Sequence, residues 1–173
     1  VAPSYAPSST PPTHRVRFFA RHLPDLGWEP EVLTVDGAHY EEPPDAEIDR
    51  LLPDVRVTRV GALPARWTRR LGIGDLGMRG YFHLKRELQR IVASRRPDVL
   101  LLPGPPWHTM LLGPAMREKA GIPYVLDYID AWVNSMGADG RWWTKAHWFR
   151  RLAIALEPRP ARGAAQIVAV SDG

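Results

Sequence analysis

The chain has 173 residues, of which 45% are hydrophobic and 24% charged, a composition typical of a globular domain with a sizeable core. It contains no cysteine, which excludes a disulfide framework, a thiolate zinc site and a cysteine nucleophile. The formal charge of +4 is concentrated in residues 141–162, where six arginines and lysines face a single glutamate.

The first half of the chain predicts alternating helices and strands. A Pro/Ser-rich loop over residues 3–12 leads into a helix over 13–26, because apolar residues recur there at helical spacing. Pro24 predicts an irregular last turn for this helix. A strand follows at residues 31–35. Val1 and Ala2 resemble the tail of a strand, so we expect the chain to be a fragment of a longer protein.

A short helix near Leu51 and a short strand at residues 55–60 come next. Residues 61–78 are rich in Gly and Arg and predict a loop. An amphipathic helix then begins near Tyr81 and closes before Pro97.

The second half continues the alternation, with uninterrupted apolar runs typical of parallel strands covered on both faces. The predicted elements are a strand at 99–102, a helix at 108–120, a strand at 124–126, an irregular segment at 127–140, a helix at 144–160 and a strand at 166–170. Strands joined by helices imply right-handed crossovers. The sequence therefore predicts an α/β fold with a doubly wound, mostly parallel sheet of Rossmann-like type, as one domain over residues 1–173.

Polar residues follow two of these apolar strands. Residues 104–108 read Gly-Pro-Pro-Trp-His, and the strand at 124–126 runs into Asp127 and Asp130. Ligands of open parallel sheets bind beyond the carboxyl ends of the strands, so we expect His108, Asp127 and Asp130 along one edge. His108 could exchange protons near neutral pH, and the carboxylates could accept sugar hydroxyls. The alternatives are an aspartate that only braces its loop and a histidine with no task.

The loop after the first predicted strand is a second candidate site. Ser8, Ser9 and Thr10 offer hydroxyls, Arg15 adds a positive charge, and the following helix points its N-terminal amides toward the same edge. The alternative is an ordinary capping loop with Thr13 as the cap. A metal site is not expected, because no third ligand stands near the two aspartates.

Residues 72–77 match the pattern G-x-G-x-x-G, but they do not directly follow a predicted strand. We therefore expect a surface loop there and no bound dinucleotide.

Residues 141–160 mix tryptophans with basic residues. On a helix, Trp148, Leu152 and Leu156 share one face, which we expect to belong to the core. The basic edge offers the alternative of contact with an anionic membrane.

Several segments, in the same order and spacing, resemble family 4-like glycosyltransferases. Residues 13–15 and 21–34 resemble the opening of that family, and residues 97–99, 104–106 and 121–123 continue the match. Residues 127–132 (Asp-Tyr-Ile-Asp-Ala-Trp) resemble the family motif D-F-R-D-x-W. Glu157 and residues 164–171 resemble its closing segment.

The resemblance implies the N-terminal, acceptor-side half of a GT-B enzyme, which is built from two Rossmann-like domains. Such an enzyme transfers a sugar from a nucleotide-sugar donor to a cell-surface glycan or glycolipid, usually with retention and without a metal or another cofactor. The donor-binding C-terminal domain would then be a partner of this chain, which alone should be inactive. Pro106 and Trp132 complete the predicted substrate-binding set. We expect a bacterial-type protein in the cytoplasm, peripheral on the inner face of the membrane, and no nucleic-acid partner.

Two departures from the family pattern limit what can be carried over. Ser8 and Ser9 replace the usual glycine pair, and Ile129 stands where the motif has arginine. Two rival functions remain open from the residues alone. One is a sugar-nucleotide epimerase of the same shape, and the other is a basic module that binds lipid or nucleic acid.

Overall fold

The structure is a computed structural model that describes residues 1–133 and 142–170. The chain divides into two compact units, Val1–Arg96 and Pro97–Gly173. Every strand pairing in the described part of the chain is parallel, which confirms the predicted α/β class of Rossmann-like type. The prediction of a single domain stays a prediction.

The first unit alternates helices and strands as predicted, and its elements are α1 (Pro11–His22), β1 (Glu31–Val35), α2 (Ala46–Arg50), β2 (Arg56–Val60), α3 (Ala65–Thr68) and α4 (Leu76–Arg95). Strands β1 and β2 pair in parallel. The start of the chain lies beside β1, because the Ala2 amide donates to the Leu33 carbonyl at 3.0 Å and the Val35 amide donates to the Pro3 carbonyl at 3.2 Å. The predicted irregular end of the first helix is confirmed as a separate 3-10 turn, Pro24–Leu26.

The prediction of a loop over residues 61–78 is wrong, since this stretch contains α3 and the start of α4. Asp75 caps α4 by accepting a hydrogen bond from the Met78 amide at 2.8 Å. The glycines of this stretch lower helix propensity and conceal the start of the helix. Gly80 has a packing reason: a β-carbon there would lie 2.6 Å from Cγ2 of Val35, so its absence lets α4 approach β1 closely.

The second unit contains β3 (Leu100–Gly104), α5 (Leu112–Ala120), β4 (Tyr124–Tyr128), α6 (Lys145–Leu156), α7 (Pro158–Gly163) and β5 (Gln166–Ala169). The strand order is β3-β4-β5. A 3-10 helix, Trp107–Leu111, precedes α5 where the sequence predicts one continuous helix. The core of the unit is apolar and includes Leu102, Leu112, Met116, Tyr124 and Leu126.

The helix predicted over residues 144–160 is two helices. Helix α6 ends at Leu156 and α7 begins at Pro158. Proline lacks the amide hydrogen that a continuing helix needs, and its ring clashes with the preceding turn, so the helix breaks at this point.

The prediction that the apolar stripe of α6 belongs to the core is also wrong. Trp148 is 60% exposed and Leu152 is 38% exposed, and Leu156 is only partly buried. The one residue of α6 that is buried is Ala153. Helical spacing correctly grouped the apolar residues on one face, but it could not show which face packs. The irregular segment predicted at 127–140 and the basic residue Arg141 fall partly or wholly outside the described residues.

Candidate functional site

The carboxyl ends of β3 and β4 lie side by side in the second unit. In the parallel register, Asp127 stands opposite Pro103, and Tyr128 stands opposite Gly104. Asp127 is fully buried, whereas Asp130 is exposed just beyond the strand. The expected adjacency of the two strand ends is therefore present, with the buried Asp127 near the end of β4 and the exposed Asp130 two residues beyond the strand.

Two hydrogen bonds join the loops that leave these strands. The Ile129 amide donates to the Gly104 carbonyl at 3.1 Å, and the Trp107 indole Nε1 donates to the Asp130 carbonyl at 3.1 Å. The second bond uses the main chain of Asp130, so its carboxylate is not the group that braces the loop at this contact.

His108 and Trp132 meet at the same place. Their rings are in edge contact, with centroids 5.6 Å apart and planes inclined by 71°. His108 is half-buried with its Nδ1 atom inside, and Trp132 is buried. The structure thus brings together the predicted residues Pro106, His108, Asp130 and Trp132 in one loop cluster. Aromatic contact restricts the orientation of the imidazole ring.

Gly104 makes this loop cluster sterically possible. A β-carbon at this position would lie 2.7 Å from Cδ1 of Trp107 and 2.8 Å from Cε of Met110. Such distances are too short for any side chain, so only glycine lets the indole fold back over the strand end. Sequence analysis noted Gly104 but missed Trp107, whose role depends on a main-chain acceptor that no sequence pattern reveals.

A second pair of residues at the end of β4 was also missed. The Tyr128 hydroxyl donates a hydrogen bond to the Glu157 carboxylate, which joins the strand end to the junction of α6 and α7. Burial is the main reason that the pKa of Tyr128 is raised, and the neighbouring Glu157 charge adds to it. Burial also raises the pKa of Glu157, while the hydrogen bond from Tyr128 opposes that shift.

The first-loop candidates lie in the first unit. Ser8 is fully buried and donates to Oε1 of Glu42 at 2.7 Å, while its oxygen lies 3.1 Å from the Thr10 hydroxyl. Ser9 is exposed. The Arg15 guanidinium lies over the Phe19 ring, 5.4 Å from its centroid. Ser8 and Thr10 therefore form one hydroxyl chain that ends on a carboxylate, and their role toward a substrate stays a prediction.

The alternative of Thr13 as the cap of the first helix is wrong. Helix α1 begins at Pro11, so Thr10 occupies the cap position and makes no side-chain capping bond. Thr13 is buried inside the first turn, with its hydroxyl 3.3 Å from that of Thr10. Proline at the first helical position needs no amide partner, which explains a helix start without a capping side chain.

In residues 1–133 and 142–170, no group of three or more histidine and acidic side chains is placed to hold a metal ion. No helix in the same part of the chain is both long and apolar enough to cross a bilayer.

Comparison with known proteins gives one informative result. No curated protein and no solved structure matches the chain. The family model of the glycosyl transferase 4-like domain, however, matches residues 12–173, nearly the whole chain. The chain therefore belongs to the glycosyl transferase 4-like family, and it is a glycosyltransferase domain.

Proposed function

We propose that this chain is the acceptor-side half of a GT-B enzyme of the retaining, hexosyl-transferring type. The enzyme transfers a sugar from a nucleotide-sugar donor to a cell-surface glycan or lipid-linked acceptor in polysaccharide biosynthesis. The family match over residues 12–173 is the observation that carries this proposal. The donor is a substrate, and no other cofactor is proposed. The donor-binding domain lies outside residues 1–173 in this proposal, so the chain alone is inactive.

The loop cluster at the ends of β3 and β4 supports an acceptor role. Carboxylates accept hydrogen bonds from sugar hydroxyls strongly, and Asp130 presents one at the surface. His108 follows Trp107, whose indole donates to the Asp130 carbonyl, and Trp132 limits the orientation of the His108 ring. We assign proton exchange to His108 and Asp130, and orientation of the loop to the buried Asp127. Ser8, Ser9, Thr10 and Arg15 are proposed as further substrate contacts from the first unit.

Replacing Asp130 with asparagine in the full-length enzyme tests this assignment. The Asp130 side chain is exposed, so Asp130→Asn should fold normally. A change at the buried Asp127 would alter stability as well as activity, so Asp127 is not used in this test. Loss of an acid or base should lower turnover by roughly 100- to 10,000-fold. The assay measures nucleoside diphosphate released from a panel of nucleotide sugars in the presence of glycan and glycolipid acceptors.

Asp98→Asn is the matched control, because Asp98 is an exposed aspartate in the same unit that precedes β3. It should retain the turnover of the unmodified enzyme. Equal turnover in the two variants would remove Asp130 from the catalytic set. Analysis of the product distinguishes the transferase from the rival epimerase. A free altered sugar that forms without an acceptor would favour the epimerase and contradict the transferase.

A specific surface observation favours a second function, peripheral binding to anionic membranes. Around α6, large apolar side chains are exposed together with basic ones. The apolar set is Trp142, Trp143, Trp148, Phe149, Leu152 and Ile154. The exposed basic set is Lys145, Arg151, Arg159 and Arg162. Aromatic and basic residues on one helix suit the interface of an anionic bilayer. We accordingly propose a cytoplasmic protein at the inner face of the membrane.

Neutralising Lys145 and Arg151 together as Lys145→Gln/Arg151→Gln should weaken binding to phosphatidylglycerol vesicles. Each basic residue near an anionic surface contributes about 1 kcal/mol, so the double variant should bind roughly 30-fold more weakly. Vesicle co-sedimentation over a salt series measures the effect. The control Arg86→Gln/Lys119→Gln removes the same charge from exposed positions on α4 and α5 and should bind normally. Equal losses in both variants, or tighter binding to an oligonucleotide, would contradict a membrane role.

A further inference from the structure

Four exposed residues on and around α3 combine apolar and basic side chains. Leu63 is 45% exposed and Trp67 is 66% exposed, while Arg66 and Arg70 are exposed one residue before and three residues after the tryptophan. We call these four residues the α3 surface. A single exposed apolar side chain is common on any protein, but a tryptophan that stands between two exposed arginines combines two properties that one partner can use.

The fold itself presents Trp67 to solvent. The residue that follows it, Thr68, is 6% exposed, and its hydroxyl donates to the Ala65 carbonyl at 3.4 Å. At the start of the segment, the Leu63 amide donates to the Arg79 carbonyl at 3.1 Å, and Nε of Arg79 donates to the Leu63 carbonyl at 3.0 Å. The segment is therefore anchored to α4, and the indole lies on the outer side of a fixed turn.

The charge around the α3 surface is positive. Residues 55–74 contain five arginines and no acidic residue. The Glu41 carboxylate reaches this stretch, but there it pairs with Arg69 at 2.6 Å. Within the part of the chain that the structure describes, neither Arg66 nor Arg70 forms an ion pair. Two accessible positive charges thus remain for an external partner.

We infer that the α3 surface binds the head-group region of an anionic membrane. An indole prefers the boundary between water and lipid, because its ring is apolar and its N–H is polar. Basic residues beside it attract anionic head groups. The Arg66 guanidinium lies 5.7 Å from the centroid of the Trp67 ring, so the charge and the ring reach the same depth of a bilayer. A nucleic acid would pair with the two charges but has no apolar layer for Leu63.

This inference rests on the proposed location at a membrane, but it does not depend on the residues of α6. The α3 surface belongs to the first unit, whereas α6 belongs to the second. Separate variants therefore test the two surfaces, and neither test requires a sugar donor or an acceptor.

Arg66→Gln/Arg70→Gln in the full-length protein tests the charges. This variant should bind phosphatidylglycerol vesicles roughly 30-fold more weakly in co-sedimentation, because two residues that attract the head groups lose their charge. Both side chains are exposed, so its thermal denaturation should match that of the unmodified protein. The control Arg21→Gln/Arg56→Gln removes the same charge from exposed positions on α1 and at the opposite end of β2, and it should bind normally.

Trp67→Ala tests the apolar contribution separately. It should weaken vesicle binding several-fold, because the exposed indole no longer enters the interface. Salt screens the attraction between charges but not the burial of apolar surface, so the relative loss in Trp67→Ala should persist at high ionic strength. The relative loss in Arg66→Gln/Arg70→Gln should shrink under the same conditions. Neutral phosphatidylcholine vesicles should bind the unmodified protein more weakly than phosphatidylglycerol vesicles.

Different results would overturn the inference in distinguishable ways. If the unmodified protein does not bind phosphatidylglycerol vesicles, both the α3 surface and α6 lose their membrane role. If Arg66→Gln/Arg70→Gln binds like the unmodified protein while Lys145→Gln/Arg151→Gln binds weakly, only the α3 surface loses it. Equal losses in Arg66→Gln/Arg70→Gln and in its control would mean that overall charge, and not this surface, governs binding. Tighter binding to a duplex oligonucleotide than to vesicles would assign the arginines to nucleic acid.

Discussion

Replacing Gly113 with alanine is expected to destabilise the second unit by about 3 kcal/mol. Helix propensity alone predicts the opposite sign, since alanine in a helix is better than glycine by about 1 kcal/mol. The steric clash with the Tyr124 ring outweighs the gain in helix propensity. A β-carbon at position 113 would lie 2.5 Å from Cδ2 and 2.7 Å from both Cγ and Cε2 of that ring.

The Tyr124 ring cannot move away to make room for this carbon. Tyr124 is fully buried in β4, and its hydroxyl donates to the Pro160 carbonyl at 2.7 Å. Gly163 closes the other side, since a β-carbon there would lie 2.5 Å from the same hydroxyl. The ring is thus held between glycines of α5 and α7, and any shift breaks a buried hydrogen bond or the pairing of a central strand.

Urea denaturation of the unmodified protein and of Gly113→Ala measures the effect. Gly74→Ala is the control, because a β-carbon at Gly74 meets no atom within 4 Å, and this change should alter the free energy of unfolding by less than about 0.5 kcal/mol. Repeating Gly113→Ala in a Tyr124→Leu background should abolish most of the penalty, since the two residues are in direct contact. Similar free energies for the two alanine variants would show that the ring yields freely.

Strands β3 and β4 were predictable because their residues are mostly buried, and burial on both faces of a sheet produces an uninterrupted apolar run in the sequence. Residues 99–102 and 124–126 carry that signal, and β3 and β4 follow from it. The helices were harder, because helical spacing groups the apolar residues of α6 without showing that Ala153 is the residue that packs. Pro158 itself predicts the break between α6 and α7, because proline cannot continue a helix, but the apolar pattern runs across it.

The candidate site was predictable in part, like the fold. The rule that ligands bind beyond parallel strand ends located Asp127 and Asp130, both of which follow or end an apolar run. The rule does not reveal the indole of Trp107 on the Asp130 carbonyl, because every residue has a carbonyl. It also misses Tyr128 and Glu157, which are far apart in sequence and meet only through the tertiary fold.

Arg79 was hidden for a different reason. It stands next to a glycine-rich stretch for which the sequence predicts a loop, and no sequence pattern marks it as a buried residue. In the structure it is 2% exposed, on the first turns of α4. Its Nε donates to the Leu63 carbonyl at 3.0 Å and its Nη2 to the His39 carbonyl at 3.0 Å. Its Nη1 lies 3.5 Å from Oε1 of Glu41.

Arg79→Met is expected to destabilise the first unit by roughly 3–5 kcal/mol. Methionine fills much of the same space, so the loss arises mainly from the two main-chain carbonyls that the guanidinium no longer satisfies, since Glu41 keeps its bond to Arg69. Arg79→Lys should recover only part of the loss, because an ammonium group cannot reproduce the planar fork of donors. Thermal and urea denaturation of the three proteins measure the series.

Arg69→Met is the matched comparison, because Arg69 also binds Glu41, at 2.6 Å, but is largely exposed. Exposed ion pairs contribute at most about 1 kcal/mol, so this variant should remain close to the unmodified protein. Arg69 lies closer to Glu41 than Arg79 does, yet we expect its loss to cost less stability. The difference comes from the burial of Arg79 and from the two main-chain carbonyls that it binds. Equal destabilisation in Arg69→Met and Arg79→Met would mean that the charge of Glu41 dominates, and that the two carbonyls held by Arg79 contribute little.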